Sequence, residues 1–155
     1  MADKNYFEKV FTSTRGETYK VIEYLGNRYY KVIFENGEII KSRLDHILSG
    51  NIKNHKTKTV FDVGYLGGDY YTPLTNKLGY SRWKDMLRRC YDEKTQEKQP
   101  TYKGITVCEE WHNFQGFAEW WMHNWKSWMD DNWQLDKDIR VKDSKIYSPI
   151  TCSLV

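Results

Sequence analysis

Cysteine is scarce in this chain and odd in number: Cys90, Cys108 and Cys152, with no Cys-x-x-Cys pair. With no signal peptide evident either, the pattern excludes a secreted disulfide framework and is read as a reduced, intracellular protein. No apolar run approaches the ~18 residues that a membrane-spanning helix needs. There is no internal repeat, no low-complexity segment and no Gly-x-Ser-x-Gly nucleophile motif. Charge of one sign is weak too, at a formal +3, which by itself does not argue for a nucleic-acid partner.

Aromatic residues are what the chain has in abundance: 7 Trp, 12 Tyr and 6 Phe in 155 residues. Such side chains bury large areas, so the composition is globular rather than disordered. The length suits one compact domain, or a small module joined to a slightly larger one. Charge is unevenly spread. Residues 1–60 hold eleven Lys and Arg against seven Asp and Glu, a surplus of +4, whereas residues 61–155 hold thirteen against fourteen, or −1. The basic surplus clusters between Lys41 and Lys58.

The segment "ETYKVIEYLGNRYYKVIFENGEIIKS" reads as a β-meander. Residues 19–24, 29–34 and 38–41 are β-branched and aromatic, and "LGNR" and "ENG" supply turn chemistry. Three short strands suggest a small curled sheet of the SH3-like kind. "SRLDHILSG" fits one or two helical turns, with Ser42 as N-cap, Leu44, Ile47 and Leu48 inward and Gly50 as the stop. Residues 51–80 lack helical period and read as a linker or clasp, with a possible strand over 60–66. From Ser81 the pattern is helical: Trp83, Met86, Leu87 and Cys90 form one stripe. "KTQEKQPTYKG" reads as a loop and "ITVC" as a short strand. Asn113 can cap a further helix on which Phe114, Phe117, Ala118, Trp121, Trp125 and Trp128 share one face. Most of the tryptophans are thus expected in a core. Trp120 falls about 120° off that stripe and is the one with scope to be exposed; it could stack on a base or a partner protein, or equally pack against the N-terminal sheet.

Three constellations could carry chemistry. Cys108 and His112, with Cys90 and His123, form only one loose ligand pair, whereas zinc sites show two tight ones, so no metal is expected. In "LDKDIRVKDSKIYSP", Asp136 and Asp138 alternate with Leu135 and Ile139, which would set two carboxylates on one strand face, where they could hold Mg²⁺ with a phosphate. The competing reading is a solvated strand edge beside Lys137 and Arg140. The third is the basic run "KSRLDHILSGNIKNHKTK", whose Arg43, Lys53, Lys56 and Lys58 could neutralise DNA phosphates. Arg82, Arg88 and Arg89 of the later helix, with Lys103, would extend that surface.

The motif order "GYSRWKDMLRRCYD", "PTYKGITVCEEWHNFQGFAEWW", "QLDKDI" and "KIYSPITCSLV" resembles phage and bacterial proteins related to HNH (His-Asn-His) homing endonucleases. The matching positions are Trp83, Met86, Arg89, Cys90, Gly104, Ile105, Val107, Cys108, Trp111, Phe114, Phe117, Leu135, Asp136, Asp138, Tyr147, Ser148, Pro149 and Cys152, over about half the chain. "VFDVGYLGG" is similar to the segment that precedes this module in phage members. The resemblance implies double-stranded DNA as the ligand, a phage or mobile-element origin, and action in the host cytoplasm. It does not carry catalysis over. Lys137 and Asp138 follow Leu135-Asp136 with no adjacent histidine, and Ile150-Thr151 stand where nuclease-like members commonly have Glu-Asn. Nor does any metal-binding helix follow within these residues. Without a base and a full metal shell, water is not activated for phosphodiester attack.

The sequence therefore predicts an α+β protein: an SH3-like antiparallel module at 1–55, a linker or clasp at 56–79, and a Trp-rich helix–strand–helix HNH-like module at 80–155. The expected function is DNA binding by a descendant of an HNH endonuclease that has lost its active site and needs no cofactor. The alternative is a phage inhibitor of a host nuclease or defence complex, whose acidic patches "CEEW", "MDDNW" and "LDKD" mimic DNA phosphates. A third is an Mg²⁺-dependent endonuclease using Asp136 and Asp138.

Overall fold

The computed structural model describes residues 4–155. They group into two compact units, one ending at Lys56 and the other spanning Thr57–Val155. The protein is α+β, with a four-stranded antiparallel sheet in the first unit and, among the described residues, three of the four α-helices in the second.

In the first unit, β1 (Phe11–Thr12), β2 (Thr18–Gly26), β3 (Tyr29–Phe34) and β4 (Ile39–Arg43) pair in chain order. Alternation along the strands turns Tyr19 and Val21 of β2, and Tyr30, Val32 and Phe34 of β3, into one buried face. The β2–β3 register slips between Val21 and Glu23 and again between Tyr24 and Gly26, and such irregularities bend and twist a strand. The β2–β3 loop is two residues long, with Asn27 and Arg28 at φ 52° and 66°, the positive values that a type I′ hairpin requires. Helix α1 (Leu44–Ser49) closes over the sheet. The buried Tyr19 hydroxyl donates to the Ile47 carbonyl at 2.6 Å, tying helix to sheet. Gly50 ends the helix at φ 76°, where a Cβ would lie 2.8 Å from the Thr12 carbonyl oxygen.

Three details depart from the sequence reading. The sheet has four strands rather than three, because β1 is too short to show an alternation. Ser42 lies within β4, and Arg43 takes the N-cap place without a side-chain bond. Leu48 is exposed, since fewer than two helical turns bring only Ile47 fully onto the sheet.

The second unit is built around α2 (Lys77–Tyr91) and α4 (Phe114–Asn124). Trp83, Met86, Leu87 and Cys90 of α2 meet Phe114, Phe117, Ala118 and Trp121 of α4 in a core that also holds Trp111, Ile105, Val107, Leu135, Tyr147 and Cys152. Inside it the Trp83 indole donates to the Trp111 carbonyl at 2.7 Å. Between these helices lie α3 (Glu93–Lys98) and β5 (Thr106–Val107). The strands β6 (Leu135–Asp136), β7 (Ile146–Tyr147) and β8 (Ser153–Leu154) follow α4. Strand β5 pairs in parallel with β7, and β6 pairs antiparallel with β8. Asn113 caps α4 as expected, its side chain accepting from the Gln115 amide.

Residues 57–79 pack onto this core. Val60 is buried, and the space a Cβ would need at Gly64 is filled by Leu87 and Trp83. The Gln115 side chain holds the 66–71 loop, donating to the carbonyls of Leu66, Gly68 and Tyr71 and accepting from the Tyr71 amide. In place of a strand over 60–66 there are two isolated bridges, Val60 to Gly64 (antiparallel) and Tyr65 to Asn113 (parallel), because Phe61 and Asp62 at φ 51° and 59° turn the chain straight back. Among the described residues no helix is long and apolar enough to cross a membrane.

Candidate functional site

Asp136 and Asp138 do not share a strand face. Strand β6 ends at Asp136, whose Oδ1 accepts the backbone amides of Asp138 at 2.7 Å and Ile139 at 2.9 Å. Asp136 thus caps a turn instead of facing a ligand. Asp138 lies in that turn and pairs with the Lys137 ammonium at 2.8 Å. The lysine is the buried partner, only 8% exposed and 5.9 Å from the centre of the Tyr147 ring. Arg140, expected beside a solvated edge, donates to the Ser153 hydroxyl at 2.8 Å. A metal at Asp138 would have to displace or face the Lys137 cation.

The thiols and imidazoles are engaged separately. Burial pushes the Cys90 thiol up to about 12 and the Cys152 thiol up to about 11, against the neighbouring positive charge and hydrogen bonds that act the other way. Cys108 is half-buried and also raised by burial. The His112 Nε2 lies 2.9 Å from the Val107 carbonyl oxygen, and the His123 Nδ1 lies 2.8 Å from that of Glu119. Both rings are therefore tied to backbone of their own element or its neighbour.

The eight cations read as phosphate ligands divide between the units: Arg43, Lys53 and Lys56 in the first, Lys58, Arg82, Arg88, Arg89 and Lys103 in the second. Arg43 forms a two-pronged pair with Asp45, and Lys56 reaches Glu38 at 3.2 Å. Arg82 braces the loop after α4, donating to the carbonyls of Trp133 (3.1 Å) and Asp131. Arg88 pairs with Asp85 one turn earlier at 3.1 Å, and both side chains remain well exposed. The Arg89 guanidinium lies 5.7 Å from the Tyr102 ring and interacts with the buried Tyr147 hydroxyl, which burial raises to about 12 in spite of that charge. Lys53, Lys58 and Lys103 are exposed, and their side chains have no ion-pair or hydrogen-bond partner among the described residues. Arg82 and Arg89 are thus packing residues as well as charges, whereas the three lysines are free to meet an anion.

Two features were not legible in advance. The stretch read as a loop after α2 contains helix α3, whose Asp92 cap accepts from the Thr95 amide and hydroxyl. The Asp-x-x-Thr spacing was the available signal. In the angle between α2 and α3, a cavity of about 250 Å³ is lined by Arg88, Asp92, Lys94, Thr95, Lys98 and Gln99. The second feature is Trp128. Helix α4 stops at Asn124, where Lys126 donates to the His123 carbonyl and Asn124 to that of Trp120, satisfying the helix end. Trp125 still stacks on Trp121, with ring centres 5.4 Å apart, but Trp128 leaves the stripe and is 69% exposed, edge-on to Trp133. Trp120, expected to be the free indole, is half-buried against Trp111 and Phe117. Asp130 and Asp131, both exposed, follow Trp128 in the same loop.

Against known proteins the chain stands by itself: no family model, no curated protein and no solved structure matches it.

Proposed function

We propose that this chain is a phage-type DNA-binding protein derived from an HNH endonuclease and working, without nuclease activity, in the host cytoplasm. In this reading the first unit is an SH3-like module with a curled sheet, and the second is an HNH-related module. The observation that carries it is the supply of exposed lysines, Lys53, Lys58 and Lys103 among them, that no carboxylate of the described residues neutralises. Each is available to release a counterion from a phosphate, which is the main source of sequence-independent affinity for DNA. The loss of catalysis rests on the carboxylates. Asp136 accepts two backbone amides and Asp138 holds the Lys137 ammonium, each through Oδ1, so the two are not set side by side on one strand face to share a hydrolytic Mg²⁺.

The test is a labelled duplex and a supercoiled plasmid incubated with the protein in Mg²⁺ and, in parallel, in EDTA. The expected result is salt-sensitive binding in both and nicking in neither. Nicking that needs Mg²⁺ and disappears in Asp136→Asn or Asp138→Asn would replace this reading with the endonuclease. Replacing Lys53, Lys56 and Lys58 together by Ala should weaken binding, and unchanged affinity would remove that stretch from the surface.

One observation favours the second reading, a phage inhibitor of a host nucleic-acid-processing protein. Trp128 with Asp130 and Asp131 combines the aromatic anchor common at protein interfaces with acids suited to a basic groove. Loss of capture of a host nuclease in Trp128→Ala, with DNA binding retained, would support it.

A further inference from the structure

The angle between α2 and α3 holds a charge arrangement that the helix itself does not need. In "EKTQEK" the like charges, not the opposite ones, are spaced four apart: Glu93 with Glu97 and Lys94 with Lys98. Residues at i and i+4 are neighbours on a helix, so Lys94 and Lys98 share one side of α3, and the opposite charges three apart, Lys94 and Glu97, form no ion pair among the described residues. Neither lysine has an ion-pair partner among the described residues, and both line the cavity with Arg88 of α2, one turn before its end. Glu93 and Glu97 lie off that lining. Asp92, the one carboxylate within it, has an oxygen already engaged by the amide and hydroxyl of Thr95. The Gln99 side-chain amide, also on the lining, makes no hydrogen bond to other described residues and adds a neutral donor. About 250 Å³ is several times the ~30 Å³ share of a water molecule, so a phosphate fits with room for its esters.

We infer that Arg88, Lys94, Lys98 and Gln99 form a phosphate-binding site that takes a backbone phosphodiester of duplex DNA. A phosphate seated there relieves the Lys94–Lys98 repulsion and competes with Asp85 for Arg88, whose exposed pair is worth little in water. The site deepens the DNA-binding reading and rests on it. It also adds Lys94 and Lys98 to the surface, two residues separate from the basic run of the first unit.

The test is fluorescence anisotropy of a labelled 20-base-pair duplex at ~50 and ~200 mM salt. It compares the parent protein, Lys94→Ala/Lys98→Ala, and a control of equal charge loss, Lys142→Ala/Lys145→Ala. Circular dichroism melting checks that each variant folds, and alanine suits the exposed positions of a helix. The double variant in α3 should lose at least tenfold in affinity at the lower salt, with a salt slope smaller by about one unit. The control should stay within about twofold. Equal losses in both variants would show a diffuse charge effect and overturn the site. Strong parent binding that the α3 variant leaves unchanged would overturn the site alone, whereas no parent binding at the lower salt would overturn the DNA reading and the site with it.

Discussion

Helix α2 ends in two regions that are a single turn apart and held by different physics. On its inner face Trp83, Met86, Leu87 and Cys90 are almost wholly shielded from solvent, and their partners are rings, methyl groups and one carbonyl. Beyond its outer face Arg88 joins Lys94 and Lys98 around a cavity with one carboxylate for three cations. The inner region is bound by burial, which scales with area and tolerates no gap. The outer region gains little from being folded, and its charges repel one another. If the proposed phosphate site is right, this outer region is the one whose charges matter for binding more than for folding.

The contrast breaks most readily at Trp83. Trp83→Ala should cost about 3–5 kcal/mol, because it removes a buried ring and its hydrogen bond to Trp111 at once. Urea unfolding would measure this, and a loss below about 1 kcal/mol would mean that the core is looser than described.

Alkaline pH probes the same region without mutation. The Cys90 and Cys152 thiols ionise at about 12 and about 11 when folded, against 9.0 for the ordinary thiol. Since the folded values are raised, the native state holds protons that the unfolded chain has lost. Stability is therefore full below pH 9 and falls as pH climbs through the folded values. The slope should be about 1.4 kcal/mol per thiol for each unit above 9. A Cys90→Ala/Cys152→Ala variant should remove the share of these two thiols, leaving what the raised Cys108, Tyr19, Tyr91 and Tyr147 contribute.

Smaller effects sharpen the other side. Trp128→Ala should change stability by under about 1 kcal/mol, since most of that ring is already in water. Replacing Lys94 and Lys98 by Ala should move it by no more than about 0.5 kcal/mol in either direction while DNA affinity falls. Two indoles of one unit would then differ several-fold in cost, and two lysines would matter for binding alone.

How much of this was legible follows the same division. Long-period patterns survived: the α2 stripe, the β2 and β3 alternation, the Asn113 cap and the Gly50 stop are local rules acting over many residues or at one strained φ. Short elements did not, because six residues of α3 show no period and its Asp92 cap was the sole signal. The tryptophan stripe ran on in sequence past the helix that carried it. Only the three-dimensional reach of Lys126 to the His123 carbonyl reveals the stop at Asn124. Lys137 reads as a surface charge until folding brings Tyr147, ten residues away, beneath its ammonium. The functional site shared that limit: residue types were visible, whereas which cations are free and which brace a loop, as Arg82 does, depended on contacts some fifty residues apart.

The most direct test of the central claim is the dependence of duplex affinity on salt for the unmodified protein. Three phosphate contacts, one in the α2–α3 angle and one each at Lys58 and Lys103, would give a slope of about −2.7 in log affinity against log salt, so binding should weaken by about 40-fold or more between 50 and 200 mM. Affinity that stays within about twofold across that range, or no binding at 50 mM, would contradict the account and turn attention to Trp128 and a protein partner.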